Sequence, residues 1–221
     1  MDLKTALQKR HSVRAYTDKP LEKEICNELI KTIDECNKDG DLHIQLVTDE
    51  PRAFDCFMAR YGNFSGVKNY VAMIGKKCED LDEKIGYYGE KIVLTAQSLG
   101  LNSCWVALTY KKIKTAFTVD KGEKLCCVIA IGYGATEGVP HKSKAMENVF
   151  SLSDPPAWFI SGIRAALLAP TAMNQQKFSF SYENGKVCVK AGHGFYSKID
   201  LGIVKYHFEL GAGKENSEWQ K

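Results

Sequence analysis

The sequence predicts an α+β domain, and three observations carry that prediction. Two long stretches, "LEKEICNELIKTIDECNKDG" and Ile85–Leu99, repeat apolar residues at helical spacing. Short apolar runs such as "YVAMIG" and "LCCVIAIG" read as strands. The order helix, strand, strand, helix occurs over residues 21–100 and again over residues 155–213.

Taken in order, "DLKTALQKR" has helical spacing and a turn falls around Asp18–Pro20. Leu21, Ile25, Leu29, Ile33 and Cys36 then form one helical stripe, and Gly40 supplies a stop. "HIQLVTD" alternates as a strand. Residues 51–69 are mixed, with a short helix expected within Asp55–Arg60, and "YVAMIG" follows as a buried strand. The stripe of Ile85, Tyr88, Ile92, Val93, Ala96 and Leu99 marks the second long helix, with Gly100 as its C-cap.

Beyond it come the strand "SCWVAL", a short helix near Lys112–Phe117, the strand "LCCVIAIG" and the exposed loop "GATEGVPHKSK". In the last third, Ser153 or Asp154 is expected to cap a helix with Pro155 and Pro156 in its first turns and Pro170 at its end. "FSFSYENGKVCVKAG" reads as two strands about a Glu-Asn-Gly turn. A helix from about Lys198 to Leu210 and a frayed "GKENSEWQK" tail complete the chain. The last helix of each half runs between glycines of equal separation, Gly89 to Gly100 and Gly202 to Gly213, so the halves read as a possible internal repeat.

Bulk properties exclude several classes of function. The 221 residues allow one sizeable domain or two small ones. Thirty basic against 27 acidic residues leave a net charge of +3, too balanced for a nucleic-acid binder without a concentrated basic face. "MDLKTALQKR" contains no apolar leader core and no run approaches a membrane span, so the expectation is a cytoplasmic protein. The eight cysteines are scattered without a C-x-x-C pair, which favours small buried thiols over disulfides or zinc. Alternate residues of "LCCVIAI" are expected to face opposite sides of a strand.

Four stretches could bind a ligand. In "RHSVRAY", Arg10 and Arg14 would share a helix face, and in an extended segment Arg10, Ser12 and Arg14 would point one way. Two guanidinium forks and a hydroxyl suit a phosphate or a planar carbonyl edge, although a solvated helix end is the plainer reading. Lys142 and Lys144 flank Ser143 in "VPHKSK", where a solvated loop is again the default. "LAPTAMNQQKF" places the amides of Asn174 and Gln176 before a strand; they fit the mixed donor and acceptor edge of a heteroaromatic ring, or a polar connection. "SCWVAL" offers backbone N–H groups or simply a core strand with Trp105.

"GYGATEG" has the spacing G-x-G-x-x-x-G and leads into a proline loop, so a dinucleotide fingerprint is excluded. The five histidines form no catalytic pattern, with His43, His193 and His207 in structural settings. There is no G-x-S-x-G and no H-E-x-x-H. An enzyme built from these parts would draw its reactivity from a bound cofactor.

Together, "KRHSVRAY", "AQSLGLNSCWVAL", "CVIAIGYGATEGVPHKSK" and "LAPTAMNQQKF" resemble the nitroreductase family of flavoproteins. The resemblance implies a nitroreductase-like fold, a central and mostly antiparallel sheet flanked by helices. It also implies that FMN is held by Arg10, His11, Ser12 and Arg14, with backbone amides of Val106, Ala107 and Leu108 near flavin N5. Lys142 and Lys144 would reach the phosphate, and Pro170, Thr171, Ala172, Asn174 and Gln176 would pack on the ring.

The order departs from the family's. The Asn/Gln motif is expected about one helix after the basic motif, where this chain reads "DECNKDGDLHI"; the motif stands some 160 residues after the basic one. The chain thus resembles the divergent branch with a rearranged, two-halved sequence, and a monomeric pseudo-dimer or a homodimer is implied. NADH or NADPH is the implied reductant, and a small nitroaromatic, quinone or flavin the acceptor chosen near residues 51–69, with no nucleic acid or membrane partner. The rival functions are a flavin-binding module without turnover and an FMN-dependent dehalogenase or dehydrogenase.

Overall fold

A computed structural model describes residues 1–183 and 185–219. Its helices are α1 (Leu3–Lys9), α2 (Lys23–Gly40), α3 (Phe57–Tyr61), α4 (Leu81–Ser98), α5 (Ala157–Ala166) and α6 (Ser197–Ala212). The strands are β1 (Gln45–Val47), β2 (Asn69–Lys76), β3 (Asn102–Val106), β4 (Glu123–Gly132), β5 (Phe178–Glu183) and β6 (Lys186–Ala191). The first four form an antiparallel sheet in the order β1-β2-β4-β3, and β5 and β6 pair as a separate hairpin. The expected α+β fold with a mostly antiparallel sheet is therefore present.

The sheet is buried on both faces, which explains the unbroken apolar runs of β2 and β4. One face, with Val71, Met73, Cys127 and Ile129, packs on α4, which in turn packs on α6, in the larger core. The other, with Tyr70, Cys104, Val106, Val128 and Ala130, is covered by the 51–69 segment through Phe54, Ala59 and Phe64. Helices α4 and α6 cross at two glycines. A Cβ on Gly86 would lie 1.9 Å from the Ile199 carbonyl oxygen, and one on Gly202 would lie 1.9 Å from that of Glu83. Each glycine meets the carbonyl three residues before the other, a locally two-fold arrangement.

Several local expectations need correction. Residues 112–117 form turns and no helix; Ile113 is buried against the second core, so packing supplants the local helical spacing. Helix α5 begins only at Ala157 with Pro156 as its N-cap, and neither Ser153 nor Asp154 caps it. Both prolines precede the helix, where their fixed φ and missing N–H cost nothing. The register of β2 and β4 shifts between Met73 and Ile74, pairing Met73 with Cys127 and Ile74 with Leu125. Cys126 is the skipped residue, so it and Cys127 both pack with the larger core instead of on opposite faces.

The tail is ordered through Trp219, whose Nε1–H donates to Glu209 Oε1 at 2.7 Å while its backbone bridges Val187. Gln220 and Lys221 lie outside the described residues, as does Asn184 of the expected hairpin turn. Gly100, at φ +84°, does end α4, with Leu101 N–H returning to the Ala96 carbonyl. All eight cysteines are free thiols, and among the described residues no helix is long and apolar enough to cross a membrane.

Candidate functional site

The chain leaves α1 at Lys9 in extended geometry, Arg10 having φ −67° and ψ 121°. It then runs parallel to β3: Ser12 bridges Ser103, and Val13 N–H donates to the Ser103 carbonyl at 3.0 Å. Successive side chains therefore alternate, and Arg10, Ser12 and Arg14 all act on the buried thiol of Cys104. Burial pushes that thiol up, opposed first by Arg14. His11 and Val13 face the other way, against Gly138, where a Cβ would meet the His11 Cβ at 2.8 Å. The geometry is the extended alternative read from the sequence.

Within this row the residues differ. Arg14 is exposed, with its guanidinium 5.9 Å from the Phe64 ring centroid. Arg10 is only 4% exposed. Its Nε lies 3.9 Å from Glu90 Oε1, too far for a hydrogen bond, and is a buried donor with no partner among the described residues. Burial lowers the Arg10 guanidinium, opposed by the Glu90 carboxylate. Burial likewise lowers His11, assisted by Arg10 and His141.

Strand β3 offers its backbone on the same edge. Because Ser103 turns its carbonyl to Val13, alternation turns the N–H groups of Trp105 and Ala107 to that edge as well. Val106, buried, points its own N–H toward β4 instead, and Leu108 lies exposed beyond the strand end. The 51–69 segment closes over this end. Ser65 N–H donates to the Arg14 carbonyl, Lys111 N–H to that of Ala53, and Phe54 stacks on Tyr110.

The second group of predicted residues forms a latch between two loops. Gln176 is 2% exposed and uses its whole amide: Oε1 accepts from Lys144 N–H at 2.8 Å, while Nε2 donates to the Lys142 carbonyl and to Asn174 Oδ1. Asn174 Nδ2 donates to the same Lys142 carbonyl. Lys144 Nζ donates to the Gln176 carbonyl at 2.7 Å, leaving Lys142 as the ammonium without a protein partner among the described residues. Met173, Asn174 and Gln176 all occupy the left-handed region, a strained path for three non-glycine residues. Asp200, at the start of α6, anchors that path by accepting from Ala172 N–H and Gln175 Nε2. Thr171 Oγ1 accepts from Gln176 N–H, and Pro170 leads into the loop from α5.

The two groups are neighbours. His11 lies near His141, whose Nε2 contacts the Leu167 carbonyl, and Ser143 donates to that same oxygen. The sequence reading passed over Glu90 and gave His207 a structural setting in a helix; both are fully buried beneath Arg10. The signal available was a glutamate and a histidine on helix faces that otherwise pack apolar residues. It read His43 as structural and passed over Asp120 and Glu123; the potential ligand atoms of the three lie within 4.8 Å of one another. These satisfy each other as a turn lock, His43 Nδ1 standing 2.9 Å from Glu123 Oε2, which also accepts Asp120 N–H.

A buried cation with an unmet donor, outward N–H groups of a strand edge and a lysine-bearing loop thus lie beside the antiparallel sheet of this α+β fold, a set of donors suited to an anion. The profile of the family described as "Putative TM nitroreductase" matches residues 2–212, and the chain belongs to that family. Among solved structures, a nitroreductase from Thermotoga maritima is similar at 21% identity and TM-score 0.68, over 99% of this chain and 87% of that one. An FMN complex of a Desulfovibrio desulfuricans nitroreductase is 22% identical with TM-score 0.53, covering 71% and 98%. An NADH oxidase from Clostridium acetobutylicum is 18% identical with TM-score 0.52, covering 68% and 99%. These likenesses establish the fold. No curated protein matches the chain.

Proposed function

We propose that the chain is an FMN-dependent oxidoreductase that takes hydride from NADH or NADPH and passes it to a small acceptor such as a nitroaromatic, a quinone or a flavin. The observation that carries this reading is the unpartnered Nε of Arg10, a buried guanidinium donor awaiting an anionic or carbonyl acceptor. Bound FMN supplies the two-electron chemistry through its N5.

The chain's own residues bind and orient. Arg10 offers fixed positive charge in a water-poor setting, where it is worth more than on a surface. Ser12 and Arg14 extend that row toward solvent. Trp105 and Ala107 present N–H donors along the β3 edge, and Lys142, held by the Asn174 and Gln176 latch, reaches for a phosphate. Lys144 and Gln176 act by shaping the loop, since their polar groups are already engaged. Phe57 and Tyr61, exposed on α3 of the closing segment, are the surface over which an aromatic acceptor would slide.

The two-halved reading extends this proposal: the first half and its following loop supply Arg10 and Lys142, and the last third supplies Asn174, so one chain holds one FMN. The reciprocal Gly86 and Gly202 contacts, resembling a two-fold interface within one chain, support it. Purified protein should carry one FMN per chain, bleach with NADH or NADPH under anaerobic conditions and recover its colour with a nitroaromatic or quinone. Retained but unbleachable flavin would establish the binding module instead, and two flavins per chain would end the two-halved site.

A further inference from the structure

Beneath Arg10, four elements meet around a polar cluster whose carboxylate and imidazole have no exposure to water. His207 of α6 and Glu90 of α4 are both 0% exposed, with His207 Nε2 2.8 Å from Glu90 Oε1. The other ring nitrogen, Nδ1, stands 3.0 Å from the Ala165 carbonyl oxygen of α5. Trp105 Nε1–H donates to the second carboxylate oxygen at 2.9 Å. Gly89 makes room for that indole, because a Cβ there would lie 2.3 Å from the Trp105 ring.

Hydrogen-bond inventory constrains the protons. A neutral imidazole has one N–H, yet both nitrogens of His207 face acceptors. The carbonyl carries no proton, so Nδ1 must bear one. Nε2 then either bears a second and donates to Glu90, or accepts a proton from a protonated Glu90. Either way the pair holds one proton more than a neutral histidine beside a carboxylate. With Arg10, the cluster carries one net positive charge in both arrangements.

We propose that Glu90 and His207 are positioning residues that share this buried proton, so that Arg10 faces its ligand with a positive charge its own counter-ion does not cancel. Had Glu90 stood ionised beside a neutral histidine, it would neutralise Arg10 and leave the anion nothing to balance. The shared proton prevents that, while Trp105 and His207 fix the carboxylate that orients the guanidinium. An uncompensated cation in the interior favours an anionic ligand, and favours it more when that ligand gains negative charge. The identity of that ligand rests on the FMN reading: the reduced, anionic flavin is held more tightly than the oxidised form.

The test has two independent arms. In flavin-free protein at neutral pH, nitrogen NMR of His207 and carbon NMR of the Glu90 carboxyl should find the extra proton, on Nε2 or on Glu90. A bare Nε2 beside an ionised Glu90 overturns the proposal whether or not FMN binds. The second arm compares dissociation constants of oxidised and dithionite-reduced FMN. His207→Gln leaves Glu90 ionised, and should weaken the reduced form about tenfold more than the oxidised one, a fall of about 30 mV in the two-electron potential.

Glu90→Gln/His207→Gln restores the net charge and should bring the ratio back to within about threefold of the parent. Equal weakening of both redox forms by His207→Gln, or no recovery in the double variant, overturns the proposal. Should His207→Gln not fold, Glu90→Gln alone keeps the net charge and should leave the ratio unmoved. A proton found by NMR in a protein that takes up no FMN upholds the pair and ends the flavin reading instead.

Discussion

The two polar regions that flank the proposed site are built on opposite principles. Around Arg10 the polar groups outnumber their protein partners: the Nε donor is unmatched, and the strand edge turns further N–H groups outward. Around Gln176 every amide atom is engaged, and the strain of three left-handed residues is held by hydrogen bonds to Lys142, Lys144 and Asp200. On the proposed reading the unmet Arg10 donor marks where a ligand completes the structure, whereas the fully met Gln176 amide marks where the protein completes itself. The amides of "MNQQ" thus act here as a clasp on the lysine loop, and the proposed recognition role falls to Arg10.

Arg10→Ala tests that division most severely. It should lower FMN affinity at least about 100-fold and destabilise the fold by about 3 kcal/mol, because loss of its buried side chain leaves a cavity beside Glu90 and His207. Flavin fluorescence titration and urea unfolding measure the two effects; a variant retaining parental FMN affinity would erase the contrast between the regions.

Asp200 comes next. Burial pushes its carboxyl up to about 6 from an ordinary 3.8, against the opposing hydrogen bonds from Ala172 and Gln175. The folded state therefore holds this proton more tightly than the unfolded chain. Its stabilising contribution is full below about pH 3.8 and is lost as pH rises through about 6, a change of roughly 3 kcal/mol. Relative to the parent, Asp200→Asn should gain stability between pH 4 and pH 7, read from urea midpoints at several pH values. A constant difference across that range would refute the assignment.

Gln176→Ala removes the clasp and should cost about 2 kcal/mol, since Lys144 N–H and Asn174 Oδ1 lose their partner and the Lys142 carbonyl loses one of its two donors. Limited proteolysis should then cut the 139–145 loop faster, and FMN affinity should fall less than in Arg10→Ala. The smallest effect is expected from Arg14→Ala. Its exposed guanidinium lies 5.9 Å from the Phe64 centroid, so stability should change by less than about 1 kcal/mol. Calorimetry would detect a larger loss, which would place Arg14 with Arg10 among the buried determinants.

Local elements were legible where local forces govern. The stripe Leu29, Ile33 and Cys36 became the buried face of α2, and Gly100 closed α4 in the left-handed conformation that its lack of a Cβ permits. Failures occurred where distant contacts override local preference. Residues 112–117 gave up a helix to bury Ile113, and the tail was ordered by the bond from Trp219 to Glu209. The row of Arg10, Ser12 and Arg14 was readable as a row, but whether it was helical or extended depended on β3 lying beside it.

By itself, then, the sequence determined the α+β class, the positions of most helices and strands, and the family resemblance carried by "RHSVRAY" and "PTAMNQQ". Periodicity, chain breakers and capping act within a few residues and can be read there. Only the tertiary structure decided which of two arginines is buried, that Gln176 serves the protein's own backbone, and that His207 meets Glu90 across 117 residues of chain. The reason is physical: proton sharing and the worth of a charge depend on the loss of water around it, and that loss exists only once the helices and sheet have closed together.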